Sequence, residues 1–271
     1  MMGRKTLAAL LPARAKRAIR RAVCGERVAP PPDEAPTAWP EVPLTLAPGC
    51  RLAIVPGDII SDSLASSGVW EPELSARLCE LARVGGGTLI EVGANIGYFT
   101  VLWAAAGADC RVIAFEPAWR NLQLLHHNVR RNGLAERVDI LPIAAGRTLT
   151  LARFDPGPQA QTGWGGLVND ARAGTVCVAV APLDALLPPT LQVAVLKIDV
   201  EGADTWVLEG CRRLLQERRV QRVFYEQNHP RMAALGVASN AAERLLTEVG
   251  YVTRPITPTD HEVVEWEAWP A

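Results

Sequence analysis

The sequence lacks a C-x-x-C pair, an apolar run of membrane-spanning length and a large net charge, and each absence removes a class of function. Its six cysteines, Cys24, Cys50, Cys79, Cys110, Cys177 and Cys211, are widely scattered. Such spacing suggests neither a zinc site nor a compact disulfide framework, and free thiols fit a reducing, cytoplasmic compartment. The longest uncharged run, Val92 to Ala108, is interrupted by Gly93, Asn95, Gly97 and Gly107, so it does not read as a membrane span. The formal net charge is −1, which argues against a dedicated nucleic-acid binder with its broad basic surface. No internal repeat is visible.

The balance of charge hides an asymmetry. Arg4, Lys5, Arg14, Lys16, Arg17, Arg20, Arg21 and Arg27 crowd the first stretch, where Glu26 is the acid. This stretch has no long apolar core and no convincing cleavage site, so it makes a poor secretory signal. It reads either as a solvated basic extension or as an amphipathic helix on an anionic membrane face. Pro12 counts against one continuous helix. Pro30, Pro31, Pro32, Pro36, Pro40 and Pro43 then make a stiff linker. The expected organisation is therefore an extension and linker over 1–43, and one main domain over 44–271 that opens with lead-in strands and a helix over 44–87.

Beyond the linker, short strands and turns are expected from Leu44 to Ile60. A helix follows through Leu74, Leu78 and Leu81, ending before Gly85-Gly86-Gly87. The pattern then alternates. Thr88 to Val92, Arg111 to Phe115, Val138 to Ile143, Val193 to Ile198 and Val220 to Tyr225 read as strands. Tyr98 to Ala106, the stripe Trp119, Leu122, Leu125, Val129, and the stripe Val207, Cys211, Leu214, Leu215 read as helices. Leu149 to Phe154 and Val176 to Val180 are further strands around a glycine-rich loop. Asn240 with Glu243 resembles a capping box for a helix that stops at Gly250, and one or two strands complete the tail. The fold class is α/β: a doubly wound, mostly parallel sheet of Rossmann-like type, with helices on both faces. Ligands bind such sheets at the carboxyl ends of the strands.

Acids follow four of those strands: Glu91, Glu116, Asp199 and Glu226. The first strand runs into Glu91-Val92-Gly93-Ala94-Asn95-Ile96-Gly97, a tight turn that lets a ligand approach the backbone. Asn95 stands where a dinucleotide fingerprint has its middle glycine. An acid beside this loop suits a cationic amine, such as the methionine part of S-adenosylmethionine, better than a pyrophosphate. Glu116 comes about twenty residues after the loop, where an acid takes ribose hydroxyls. Asp199 and Glu201, two apart, would share a face if the strand continued past Asp199. Glu201 and Asp204 also read as acids at the start of the next helix. His229 reads equally as a base at a strand end or as a loop histidine before Pro230, and His126, His127 and His261 read as structural.

The segments EVGANIGYFT, AFEPAWRNLQLLHHNVRRNGL, and LKIDVEGADTWVLEG followed by VFYEQN resemble the FkbM family of S-adenosylmethionine-dependent methyltransferases. The similarity covers roughly Asp58 to Tyr251, and GVWEPELSARL looks like the family's lead-in helix. Asp204 departs from the glutamate more usual in the family. The resemblance implies S-adenosylmethionine as cofactor. It places Glu91, Gly93, Asn95 and Gly97 along the methionine end and Glu116 at the ribose, and it puts residues from Asp139 to Ala144, Ile143 and Ala144 among them, beside the adenine. It also implies O-methylation of sugars and other hydroxyl-bearing metabolites.

A hydroxyl acceptor is a weak nucleophile and needs a base or a metal. Asp199 is the first candidate base, with Glu201, Glu226 and His229 beside it. A metal-free site is preferred over a divalent cation held by Asp199, Glu201 and Glu226. Gly163-Trp164-Gly165-Gly166 reads as a mobile loop whose Trp164 either stacks on a sugar or plugs the core. The rivals are a methyltransferase acting on lipid, protein or nucleic acid, a nicotinamide-dependent oxidoreductase, and a non-catalytic adenosyl-ligand binder of the same fold. The expected partner is a small-molecule or glycan acceptor, such as a sugar of a surface polysaccharide or glycolipid. Peripheral membrane contact through the basic segment would accompany it, and no nucleic acid is expected.

Overall fold

The structure, a computed structural model, describes residues 39–170 and 173–271. The basic segment, Cys24 and the prolines through Pro36 lie outside the described residues, and so does any membrane contact expected of them. Pairing starts inside the stretch read as linker: β1 (Glu41–Pro43) and β2 (Arg51–Ala53) form an antiparallel pair. Pro43 is tolerated there because an edge strand has no inner partner for the missing N–H.

A helix, α1 (Ile59–Ser67), begins where strands and turns were expected. The side chain of Asp58 accepts from Ser61 N at 3.0 Å and from Ser61 Oγ at 2.8 Å, which caps the first turn. The next helix, α2 (Pro72–Val84), has proline in its first turn, where no N–H partner is lost.

The alternating core then follows the sequence closely: β3 (Thr88–Val92), α3 (Tyr98–Ala106), β4 (Arg111–Phe115), α4 (Trp119–Arg131) and β5 (Val138–Leu141). An excursion of four short strands comes next, β6 (Ala144–Ala145), β7 (Thr150–Asp155), β8 (Gly166–Val168) and β9 (Val176–Ala181), paired in the order β6-β9-β7-β8. The chain returns through α5 (Leu183–Leu186), β10 (Val193–Ile198), α6 (Asp204–Gly210), α7 (Arg212–Gln216), β11 (Val220–Asn228), α8 (His229–Leu235), α9 (Ala241–Glu248), β12 (Tyr251–Pro255) and β13 (Val263–Pro270).

The main sheet has the order β12-β13-β11-β10-β3-β4-β5. Neighbours from β11 to β5 are parallel, and β13 runs antiparallel to both β11 and β12. Alternate residues of each central strand enter opposite cores. Ile90, Ile113, Phe115, Leu196 and Val223 pack with α6, α7 and α9 on one side. Leu89, Val112, Ala114, Val195 and Phe224 pack with α2, α3 and α4 on the other. This is the doubly wound arrangement that the alternation of strands and helices implies. Burial on both faces explains why β10 reads as an almost unbroken apolar run.

Two local expectations differ from what is found. The stripe through Cys211 is two helices, because the last residue of α6, Gly210, abuts the β6 exit; a Cβ there would lie 2.1 Å from the Gly146 carbonyl oxygen. No capping box forms at α9: the Asn240 side chain makes no cap bond, and Glu243 accepts from the Gln227 amide instead. Among the described cysteines Cys79, Cys110 and Cys211 are buried and all are free, in keeping with a hydrophobic role. No described helix is long and apolar enough to cross a membrane.

Candidate functional site

From β3 the chain winds outward through β4 and β5, then crosses back to lay β10 on the other side of β3. The reversal leaves a crevice at the carboxyl ends of β3 and β10. There a cleft opens with about 1050 Å3 of free space, its mouth included. Backbones meet tightly at its base. Gly93 has φ +86°, and a Cβ on it would lie 1.9 Å from the Asp199 carbonyl oxygen. Glycine is therefore dictated by a neighbouring main chain as well as by its own torsion. Gly97, φ +91°, serves packing: a Cβ there would lie 2.5 Å from Leu125 Cδ1 of α4.

One half of the cleft is lined by Gly93, Asn95, Phe115, Glu116, Ile143 and Ala144. Glu116 Oε2 accepts from Asn95 N at 2.8 Å, and Oε1 accepts from Ala118 N at 2.7 Å. The Asn121 side chain is a third donor to the same carboxyl. Burial pushes the Glu116 carboxyl up to about 7, against the two backbone donors that favour its charge. Asn95 adopts φ +50°, and its Oδ1 is buried without a hydrogen-bond partner. Asn121, missed in the sequence reading, lines this half too and donates to Thr162 O at 2.9 Å.

Glu91 stands apart. It is 1% exposed and accepts from the Thr100 hydroxyl of α3, so its side chain lies beneath the cleft rather than along it. Burial lifts it to about 7, with Lys197 pulling it down.

The other half carries Glu71, Asp199, Glu201 and Glu226, with Trp164 at the rim. Asp199 follows the end of β10, and its Oδ2 accepts from Lys197 Nζ at 3.1 Å. Burial opposes the charge of Lys197, but Asp199, Glu71 and Glu91 outweigh it and raise the ammonium above its ordinary range. The same Nζ stands 4.7 Å from the Phe99 ring centroid.

Glu201 does not share a face with Asp199, since β10 ends at Ile198 and Glu201 turns through φ +59°. It faces Asn228 Nδ2 at 2.9 Å and Arg231 Nε at 3.1 Å, and burial followed by Asp199 lifts it to about 7. Burial, then Asp199, Asp204 and Glu201, raises Glu226 well above the usual range. Glu226 N donates to Asp204 Oδ1 at 3.1 Å, which gives Asp204 a bracing role between β11 and α6. Burial and Asp199 push Asp204 up to about 8.

His229 opens α8 and does not line the cleft; its main-chain N–H donates to Glu262 O at 2.9 Å. Among the described residues no three of His, Cys, Asp and Glu are gathered closely enough to hold a metal ion.

Glu71 and Lys197 were passed over in the sequence, though both carry a signal. Glu71 directly precedes the proline that opens α2, and Lys197 is a cation inside an otherwise apolar buried strand. Burial lifts Glu71 to about 8 against the pull of Lys197.

The glycine-rich loop is pinned across the cleft. Asp58 accepts from Thr162 N at 2.8 Å and from its hydroxyl at 3.1 Å. Arg120 donates to four carbonyls of the approach, those of Pro156, Pro158, Gln159 and Gln161. Trp164 remains 48% exposed. It is not a core plug.

The methyltransferase FkbM domain model matches residues 91–253, more than half of the chain. Similar solved structures include methyltransferase FkbM from Methylobacillus flagellatus KT, 19% identical, covering 68% of this chain and 43% of that one, with a TM-score of 0.48. Another is a SAM-dependent O-methyltransferase from Thermotoga maritima, 15% identical over 75% of this chain and 66% of that one, at 0.45. A third is a precorrin-6y C5,15-methyltransferase from Geobacter metallireducens GS-15, 11% identical over 75% and 90%, also at 0.45. The chain thus spans less than half of the Methylobacillus protein. No curated protein matches it.

Proposed function

The chain belongs to the FkbM methyltransferase family, and from that premise we propose that it transfers a methyl group from S-adenosylmethionine to a hydroxyl of a sugar or similar polyhydroxylated metabolite. The observation that carries the reading is Glu116. It is a buried carboxyl fixed by Asn95 N and Ala118 N at the exit of β4, and it lines the cleft where an acid suits vicinal hydroxyls. The residues around it fit the cofactor. Phe115, Ile143 and Ala144 give an apolar slot of adenine type, and the orphaned Asn95 Oδ1 asks for a donor such as an amino group.

When bound, the cofactor supplies an electrophilic methyl on a sulfonium. The chain aligns the acceptor and keeps water out. Asp199 is the proposed base, because Lys197 holds it at 3.1 Å and it opens onto the cleft. Asp199 would take the hydroxyl proton of the acceptor, whose oxygen would receive the methyl group that bound S-adenosylmethionine would supply, the sulfur keeping the electron pair. Glu226 and Glu71, both raised by burial, are suited to accept from or donate to other acceptor hydroxyls. Glu201, held by Asn228 and Arg231, shapes the wall, and His229, outside the lining, takes no part in the proton transfer.

Calorimetric titration with S-adenosylmethionine, S-adenosylhomocysteine and NAD tests the cofactor, with Glu116→Ala beside the native chain. Binding of both adenosyl ligands, weakened about 10- to 100-fold in the variant, is the expected result. Preference for NAD would overturn the reading.

A further inference from the structure

We propose a second acceptor subsite beyond Trp164, which takes the sugar unit next to the one being methylated. The acceptor would then be at least two units long and already assembled when it reaches this protein. The inference rests on the hydroxyl-acceptor reading and goes past it to the size and state of the substrate.

A second hollow, about 920 Å3 with its mouth included, adjoins the cleft. Trp164, Leu167 and Glu201 line both, so the acceptor half of the cleft and the second hollow meet at these three residues. Trp164 is held for a purpose other than burial. Its carbonyl accepts from Arg231 Nη2 at 3.0 Å, and a Cβ on Gly157 would lie 3.0 Å from its carbonyl carbon and oxygen. The junction is narrow, since a Cβ on Gly166 would lie 3.3 Å from both Arg231 Nη1 and Glu201 Cβ. A half-exposed indole on fixed backbone, at the meeting point of two hollows, is an apolar plate waiting for a ligand face.

The rest of the second hollow mixes apolar and polar groups: Val168, Leu235 and Pro158 beside Asn169, Asp170 and Arg231. A pyranose ring has the matching character, with C–H faces for the plate and a rim of hydroxyls for the polar groups. Charge excludes the main competitor. Among the described residues that line this hollow Arg231 is the cation, and Glu201 already holds it at 3.1 Å, with Asp170 in the same lining. A diphosphate bridge would meet like charge there and lose its hydration without repayment. The occupant is therefore a neutral glycosidically linked unit and not the nucleotide of an activated sugar. A glycosyl-transfer reaction must come before this methylation.

The test measures transfer of labelled methyl from S-adenosylmethionine by the full chain. Acceptors are free hexoses, their α- and β-linked di- and trisaccharides, and uridine-diphosphate hexoses. The variants are Trp164→Ala and Ala234→Trp, the second an exposed α8 position that fills the second hollow. The expected result is a disaccharide kcat/KM about tenfold or more above that of its monosaccharide, with the advantage falling to near one in both variants. Equal values for one and two units, an advantage that survives Ala234→Trp, or preference for the nucleotide sugars would each overturn the subsite. No transfer to any sugar while the cofactor still binds would sink the hydroxyl-sugar reading itself, and the subsite with it.

Discussion

Lys197 and Asp199 make an ion pair of 3.1 Å in which the ammonium is buried and the carboxylate opens to the cleft. The cation is hidden from solvent while the anion it orients remains available to a ligand. Asp199→Asn should lower kcat by roughly 10²- to 10⁴-fold, the usual range for a lost base, with little change in S-adenosylmethionine affinity. Lys197→Met should also lower kcat, with a smaller change in acceptor KM, because Asp199 loses the group that orients it at 3.1 Å. Lys197→Arg should restore part of the loss. An unchanged kcat in Lys197→Met would show that the pair does not position Asp199.

Raised buried carboxyls predict how stability varies with pH. Burial lifts Glu91, Glu116 and Glu201 to about 7, and Glu71 and Asp204 to about 8. Between the ordinary carboxyl range, near 4, and about 8, the folded chain binds more protons than the unfolded one. The stabilisation is therefore complete below that ordinary range and is lost as pH climbs through about 7 to 8. Scanning calorimetry should show Tm falling from about pH 5 to about pH 8.5, and Asp204→Asn should flatten the slope. A Tm that rises over this window would contradict the account.

Gly93 and Gly133 share a positive φ and differ in surroundings. At Gly133, φ +67°, an added Cβ meets nothing within 4 Å; at Gly93 it meets the Asp199 carbonyl. Gly133→Ala should cost about 1–2 kcal/mol, the torsional penalty alone. Gly93→Ala should cost more than about 3 kcal/mol or yield no folded protein, because the clash between main chains adds to the torsion. Denaturant unfolding of the pair measures the difference.

The Asp58 tether joins the α1 cap to the loop that bears Trp164. Asp58→Ala should cost about 1–2 kcal/mol through the cap. It should also speed chymotryptic cleavage after Trp164, since Thr162 N loses its acceptor. Unchanged cleavage would mean that Arg120 suffices to hold the loop.

The parallel core was legible because its signals are local. Apolar runs of strand length, helical stripes and the turns Gly93 to Gly97 and Asn132-Gly133 each act over a few residues. Glu116 and Asp199 were readable for the same reason, as acids at strand ends. Pairwise geometry was not readable. Glu91 reads as a cleft residue until Thr100 is seen to claim it from the next helix. Glu201 reads as a continuation of the strand until its backbone is seen to turn left-handed. His229 sits three residues beyond Glu226 in sequence, yet α8 carries it out of the cleft. The roles of Glu71 and Lys197 emerge only when α2 and β10 come together around one buried cation.

The antiparallel strand β13 lies between β11 and β12, so β12 reaches the sheet only through it. The five parallel strands therefore share no ladder with β12, and the β12–β13 pair joins them through β11 alone. That edge brings Trp266 to stack on Tyr225 and Glu265 to face Lys197. An opening that begins at this edge therefore takes Glu265 from Lys197 before it reaches Glu116, which follows β4 on the far side of β10 and β3.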